Sequence, residues 1–187
     1  MQHHCYLFIG PSGSGKTTLA NALFAKDQKI ISYTTRPIRP GEQEGVDYYF
    51  VTNDCFTQMI ADQKFAEYDC YGTSYYGVAK ETLEEKLAEA DCYDALTPTG
   101  FWNLRKKYGS SVIPVFLTVS KETIIERLHL REESRTEIDK RVLLFENDLK
   151  EKEAIKSIPE AIFLDAEKPV EELKNDFLNQ LPKQSKI

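Results

Sequence analysis

No stretch of the 187-residue sequence is long and apolar enough to span a bilayer. The longest apolar run, residues 112–119, is interrupted by Pro114 and falls far short of the ~20 residues a spanning helix needs. Positive charge is also scarce, with 24 Lys and Arg against 30 Asp and Glu. The net charge of −6 argues against a broad nucleic-acid-binding face, which needs clustered cations. Cysteine is sparse and scattered: Cys5, Cys55, Cys70 and Cys92 have neither metal-ligand nor redox spacing, so reduced thiols in a cytoplasmic protein are expected. Met1 to Cys5 leads straight into a strand-like segment, so no signal or transit peptide is expected. Internal repeats and low-complexity segments are missing as well. What is present, 41% hydrophobic and 29% charged residues, suits one soluble globular domain able to bury roughly 70% of its unfolded surface.

Hydrophobic periodicity gives that domain an outline. A short apolar run at residues 5–9 is followed by a glycine-rich turn and then by helical spacing at residues 19–24, the pattern of a buried strand, a loop and a helix. Further buried strands are predicted at 92–96, 112–119 and 161–164, separated by helices at 121–130 and 138–155. Such alternation implies a parallel sheet covered by helices. Residues 32 to about 90 have a different texture, rich in Thr, Tyr, Arg, Pro and Gly around one helical segment at 54–62. This reads as a subdomain of short strands and turns inserted into the core formed by 1–31 and 91–187.

The glycine-rich turn is Gly10-Pro11-Ser12-Gly13-Ser14-Gly15-Lys16-Thr17, which fits G-x-x-x-x-G-K-[ST] and stands between a predicted strand and a predicted helix, as a phosphate-binding loop requires. Glycines let successive N–H groups turn inward on phosphate oxygens, and the helix N-terminus adds its positive dipole end. Lys16 would neutralise the β- and γ-phosphates of ATP and the Thr17 hydroxyl would ligate Mg²⁺, with Thr18 completing the loop. The motif says nothing about the phosphoryl acceptor.

The acceptor is suggested by residues 32–50, Ser-Tyr-Thr-Thr-Arg-Pro-Ile-Arg-Pro-Gly-Glu-Gln-Glu-Gly-Val-Asp-Tyr-Tyr-Phe. Two arginines stiffened by prolines can present rigid forks to a second phosphate, and a tyrosine hydroxyl can add a donor. Together with Gly10–Thr17, this string resembles the guanylate kinases, P-loop nucleoside monophosphate kinases that pass the γ-phosphoryl of ATP to GMP with Mg²⁺. The resemblance implies an α/β P-loop fold of three layers, with a central parallel sheet, an inserted acceptor-binding subdomain and a helical lid at about 128–145. By the same resemblance, Arg36, Arg39, Tyr48 and Tyr76 hold the acceptor phosphate, Glu42 braces the arginines, and Ser32 and Glu67 reach the base. By residue type alone, Glu67 reads as a solvated carboxylate.

Arg127, Arg131, Arg135 and Arg141 follow the 112–119 strand. Arginines on a closing lid can stabilise the charge that develops in phosphoryl transfer, although Glu126, Glu132, Glu133, Glu137 and Asp139 lie among them and could pair locally. The family's lid pattern implies catalytic roles for Arg127, Arg141 and, with less support, Arg131; Arg135 is a weaker candidate.

The resemblance breaks at Tyr93-Asp94-Ala95-Leu96-Thr97-Pro98-Thr99-Gly100. Guanylate kinases usually carry two aspartates there, and with Gly100 as anchor Ala95 and Thr97 replace them. Strand alternation then puts Asp94 on the opposite face, whereas a one-residue shift would make Asp94 one of the two carboxylates, though not both. Val78 likewise stands where relatives have a hydroxyl facing guanine. A restored carboxylate at Thr97 is expected to improve GMP use. These departures leave two alternatives to GMP or dGMP phosphorylation. One is a kinase of another phosphorylated small molecule such as ribose 1,5-bisphosphate, and the other is a guanylate kinase-like binding protein with little turnover. The expected partners are small-molecule nucleotides, not nucleic acid or membrane, for a chain that is a monomer or a homodimer.

Overall fold

In the computed structural model, which describes residues 3–130 and 135–181, the core is a four-stranded parallel sheet in the order β6-β1-β7-β8. Its strands are β1 (Cys5–Ile9), β6 (Cys92–Ala95), β7 (Val112–Thr118) and β8 (Ile162–Asp165). β1 is buried along its whole length because β6 and β7 flank it and helices cover both faces, which is why it reads as an unbroken apolar run. One face packs Tyr6, Phe8, Val115 and Leu117 against Leu19 of α1 (Lys16–Leu23) and Phe177 of α7 (Val170–Gln180). The other packs Leu7, Ile9 and Phe116 against Phe101 and Leu104 of α4 (Pro98–Tyr108). The predicted core strands are found to within a residue or two at their ends.

Between α1 and β6 lies a second, mixed sheet in the order β3-β2-β5-β4, formed by β2 (Tyr33–Thr34), β3 (Tyr49–Phe50), β4 (Phe65–Tyr71) and β5 (Ser74–Ala79). Its helices are α2 (Asn53–Ala61), which starts on a Thr52 side-chain cap, and α3 (Lys80–Glu89). The chain enters this region under restraint: Ile30 N–H donates to Tyr93 O, and the Ser32 hydroxyl donates to the Asp94 carboxylate. α5 (Lys121–Leu130) and α6 (Arg135–Lys156) complete the fold on the carboxyl side of β7. Four free cysteines match the sequence expectation, Cys5 and Cys92 buried and Cys55 and Cys70 exposed. No helix among the described residues is long and apolar enough to cross a membrane.

Candidate active site

The turn between β1 and α1 has the geometry its glycines predict. Gly10 takes φ 140°, and a Cβ there would meet Leu117 O at 2.6 Å, so only glycine lets the loop leave β1 against β7. Lys16 Nζ folds back to donate to Gly10 O (2.7 Å) and Pro11 O (2.9 Å), which holds the ammonium over the loop. Arg127, from α5, donates to Ser14 O (3.3 Å) and Ala166 O (2.8 Å), and Arg141, from α6, donates to the Ser12 hydroxyl.

A cleft of about 480 Å³ runs from this loop to the second sheet. Its lining brings together Gly10, Ser12, Gly13, Gly15, Lys16, Thr17 and Thr18 of the loop, Arg141 of α6, and Arg36, Arg39, Tyr48, Glu67 and Tyr76 of the inserted region. Ser32, Glu42, Pro11, Ser14 and Arg127 stand behind this lining; Glu42 and Asp94 border a smaller adjoining cavity of about 190 Å³ that Thr17 also reaches. Arg131 falls outside the described residues, and the side chain of Arg135 is exposed.

The arginine pair is built as a unit. Arg36 forms a two-pronged salt bridge with Glu42 (Nη1–Oε2 3.0 Å, Nη2–Oε1 2.8 Å), and Glu42 Oε2 also accepts from Arg39 N–H at 2.8 Å. Burial raises the Glu42 carboxyl, but the Arg36 guanidinium and the Arg39 N–H outweigh it and leave the group below its ordinary value. The Arg36 guanidinium lies over Tyr48 at 5.6 Å and Phe50 at 5.7 Å, and Tyr48 in turn meets Tyr76 at 6.0 Å.

Glu67 is not the solvated carboxylate its residue type suggests. It is 4% exposed, on the inner face of β4, against the first turn of α4. Burial, the Asp94 carboxylate and then the Asp69 carboxylate push it up to about 8, while Lys107 and the Val78 backbone pull the other way. Asp94, also buried, is raised to about 6 by loss of solvent, with the Ser32 hydroxyl, the Ala95 N–H and Lys29 opposing the rise. Both groups therefore bind their protons more tightly in the folded chain than in the unfolded one, and their contribution to stability is lost as pH rises through their folded values. Of these two groups Glu67 dominates between about pH 6 and 8, so stability should fall by up to about 1.4 kcal/mol per pH unit there. Glu67→Gln should flatten that limb in urea unfolding at pH 6, 7 and 8, and an unchanged slope would refute this origin.

The base-side end adds detail at Asp94, Thr97 and Val78. Asp94 does not face away from the site, as the one-residue shift allowed: its carboxylate meets Ser32 and borders the smaller cavity. Thr97 does not stand as a bare replacement, because its hydroxyl caps α4 by accepting from Gly100 N–H (3.0 Å) and donates to Asp69 Oδ2 (2.8 Å). Val78 is fully buried in the core. Asp69 was not anticipated at all. Its signal was alternation, since on a strand it lies two residues from Glu67 on the same face.

Buried polar atoms normally find partners. Among the described residues four such side-chain atoms have none, and three belong to this site: Ser14 Oγ in the loop, Arg36 Nε, and Glu67 Oε2. The fourth is His3 Nδ1.

Comparison with known proteins agrees with this geometry. The family model described as guanylate kinase matches residues 2–177. The chain belongs to the guanylate kinase family. A guanylate kinase of Hydrogenovibrio crunogenus is 37% identical over 150 residues, 78% of this chain and 73% of that protein. One from Photorhabdus laumondii subsp. laumondii is 36% identical over 149 residues, 76% of this chain and 72% of that protein. The crystal structure of guanylate kinase from Anaplasma phagocytophilum superposes with a TM-score of 0.72 over 95% of this chain and 84% of that one, at 21% identity, which establishes the shared P-loop fold. As a member of this family the chain is a nucleoside monophosphate kinase by class, a phosphotransferase.

Proposed function

We propose that the chain transfers the γ-phosphoryl group of ATP to the phosphate of GMP or dGMP, giving ADP and GDP or dGDP. The observation that carries this reading is a pair of unpartnered buried atoms on side chains that line the cleft, Arg36 Nε at the acceptor side and Glu67 Oε2 at the base-side wall. A nucleoside monophosphate beside the phosphate-binding loop would give both a partner.

In this reading Gly10 to Thr18 bind ATP, with Lys16 as the cation beside the β- and γ-phosphates. Arg36, Arg39, Tyr48 and Tyr76 hold the acceptor phosphate, Glu42 braces the arginines, and Ser32 and Glu67 set the base, Ser32 through Asp94. An acceptor phosphate oxygen attacks the γ-phosphorus as the bond to the ADP oxygen breaks, so no enzyme-bound intermediate is needed. Arg127, Arg141 and Arg131 serve the transferring group or the loop that holds it, on a lid at about 128–145. The region 32–90 acts as the acceptor-binding part of a single domain spanning residues 1–187.

Mg²⁺ accompanies ATP in this reading, and it neutralises phosphate charge when bound. The residues fit a phosphate-borne ion: the Thr17 hydroxyl borders both cavities, and the described residues hold no cluster of three or more His, Cys, Asp or Glu side chains that would form a separate cage. Thr17 with phosphate and water ligands would suffice. A cytoplasmic monomer or homodimer acting on free nucleotides is the matching setting.

The test is ADP release from Mg·ATP with GMP, dGMP, AMP, UMP and ribose 1,5-bisphosphate offered separately. Turnover selective for GMP and dGMP is expected. Turnover of ribose 1,5-bisphosphate alone, or of none of the five, would overturn the reading.

A further inference from the structure

The base-side wall of the cleft carries two carboxyl groups side by side, with one oxygen, Glu67 Oε2, left without a partner. Glu67 and Asp69 lie on one face of β4 and both line the cleft; Glu67 Oε2 is buried with no partner. Asp69 is aimed by its surroundings: Oδ1 accepts from Cys70 N–H (2.8 Å), and Oδ2 accepts from the Thr97 hydroxyl (2.8 Å), which the first turn of α4 fixes in place. A carboxylate has about four acceptor sites, so both oxygens keep capacity for a ligand. Across the ladder Asp69 pairs with Tyr76, and directly paired strand residues share a face, so the same strip of sheet runs from the phosphate end to this wall. The side chain of Val78, paired with Glu67, adds no polar group.

Once Glu67 is ionised, which a facing N–H donor favours, the wall presents two adjacent acceptors, and these call for two adjacent N–H donors. Among purine bases, guanine presents them as the ring N1–H and the exocyclic 2-amino group. We infer that Asp69, held by Thr97, is a specificity-determining residue of this chain that accepts a hydrogen bond from the 2-amino group of the acceptor base, beside Glu67. The carboxylate that sequence reasoning sought at position 97 is thus delivered from β4, 28 residues earlier. This also reverses the expectation for Thr97→Asp, since a carboxylate added there would face Asp69 at hydrogen-bond distance. The inference rests on the proposed GMP chemistry, and its test must separate the two.

Inosine 5′-monophosphate is GMP without the 2-amino group, so the ratio of the two affinities isolates the contact. Calorimetric binding of GMP and inosine 5′-monophosphate to the full chain should show at least about a tenfold preference for GMP, the usual worth of a hydrogen bond to a charged group. Asp69→Ala should bring the ratio close to one by weakening GMP alone, with ATP affinity and the thermal midpoint little changed. Asp69→Asn, which keeps an acceptor without the charge, should fall between and covers a folding failure of the alanine variant. Equal weakening of both ligands, or a preserved ratio, overturns the inference, as does a wild-type chain that does not distinguish them. Preferential GMP binding that depends on Asp69 but brings no ADP release would sink the proposed function and leave the inference standing.

Discussion

Lys16→Ala should abolish phosphoryl transfer and leave a folded protein. In the structure the ammonium is pinned by Gly10 O and Pro11 O over the loop, in the same cleft that Arg36 and Arg39 line. Phosphoryl transfer depends on fixed charge placed before the reaction, because nearly all of the acceleration comes from positioning and electrostatics. Removing one such preorganised donor from an enzyme costs about 10²–10³ in kcat, and a full charge belongs at the upper end of that range. The fold should persist because the side chain lies on the cleft lining, outside both hydrophobic clusters. Initial rates at saturating GMP, with a thermal melt beside them, provide the check. An unchanged kcat would place the chemistry elsewhere.

The second large effect is expected from Arg36→Ala, and it should fall on the acceptor alone. Arg36 combines a bidentate pair with Glu42, two aromatic faces, and a buried Nε without a partner. Its loss removes a fork for the acceptor phosphate and leaves the Glu42 carboxylate, still bonded to Arg39 N–H, without its counter-ion. Each charge-assisted hydrogen bond is worth about 1.5–3 kcal/mol, so KM for GMP should rise about a hundredfold or more while KM for ATP stays within about twofold. Arg36→Lys should recover little of this, because an ammonium cannot reproduce the two-pronged, stacked geometry. Parallel loss of GMP and ATP use would defeat the assignment.

These two residues were legible in the sequence for different reasons. Gly10 to Thr17 is a contiguous backbone device, so its spacing carries its geometry, and the buried strand before it is marked by five consecutive apolar residues. Arg36 and Glu42 are six residues apart on one stiff loop and were assigned by resemblance to a family whose string they match. The second sheet was less visible because β2 and β3 are two residues each, too short to show alternation. The base-side wall was the hardest part. Glu67 is buried by α4, Asp94 meets a serine 62 residues earlier, and Asp69 is aimed by a threonine 28 residues later. These contacts are long-range, residue type argues against the burial of Glu67 and Asp94, and only the shared face of Asp69 and Glu67 leaves a local trace.

Gly100 sits in the first turn of α4, where a Cβ would lie 2.8 Å from Glu67 Oε2. Helix propensity alone would favour almost any other residue there, yet alanine, the smallest alternative, would already drive the carboxylate toward the cleft. Positions 67 and 100 therefore cannot drift separately: as long as the acidic side chain stays, the helix must forgo a side chain, and a lineage that filled position 100 would have to surrender or reshape the acid first.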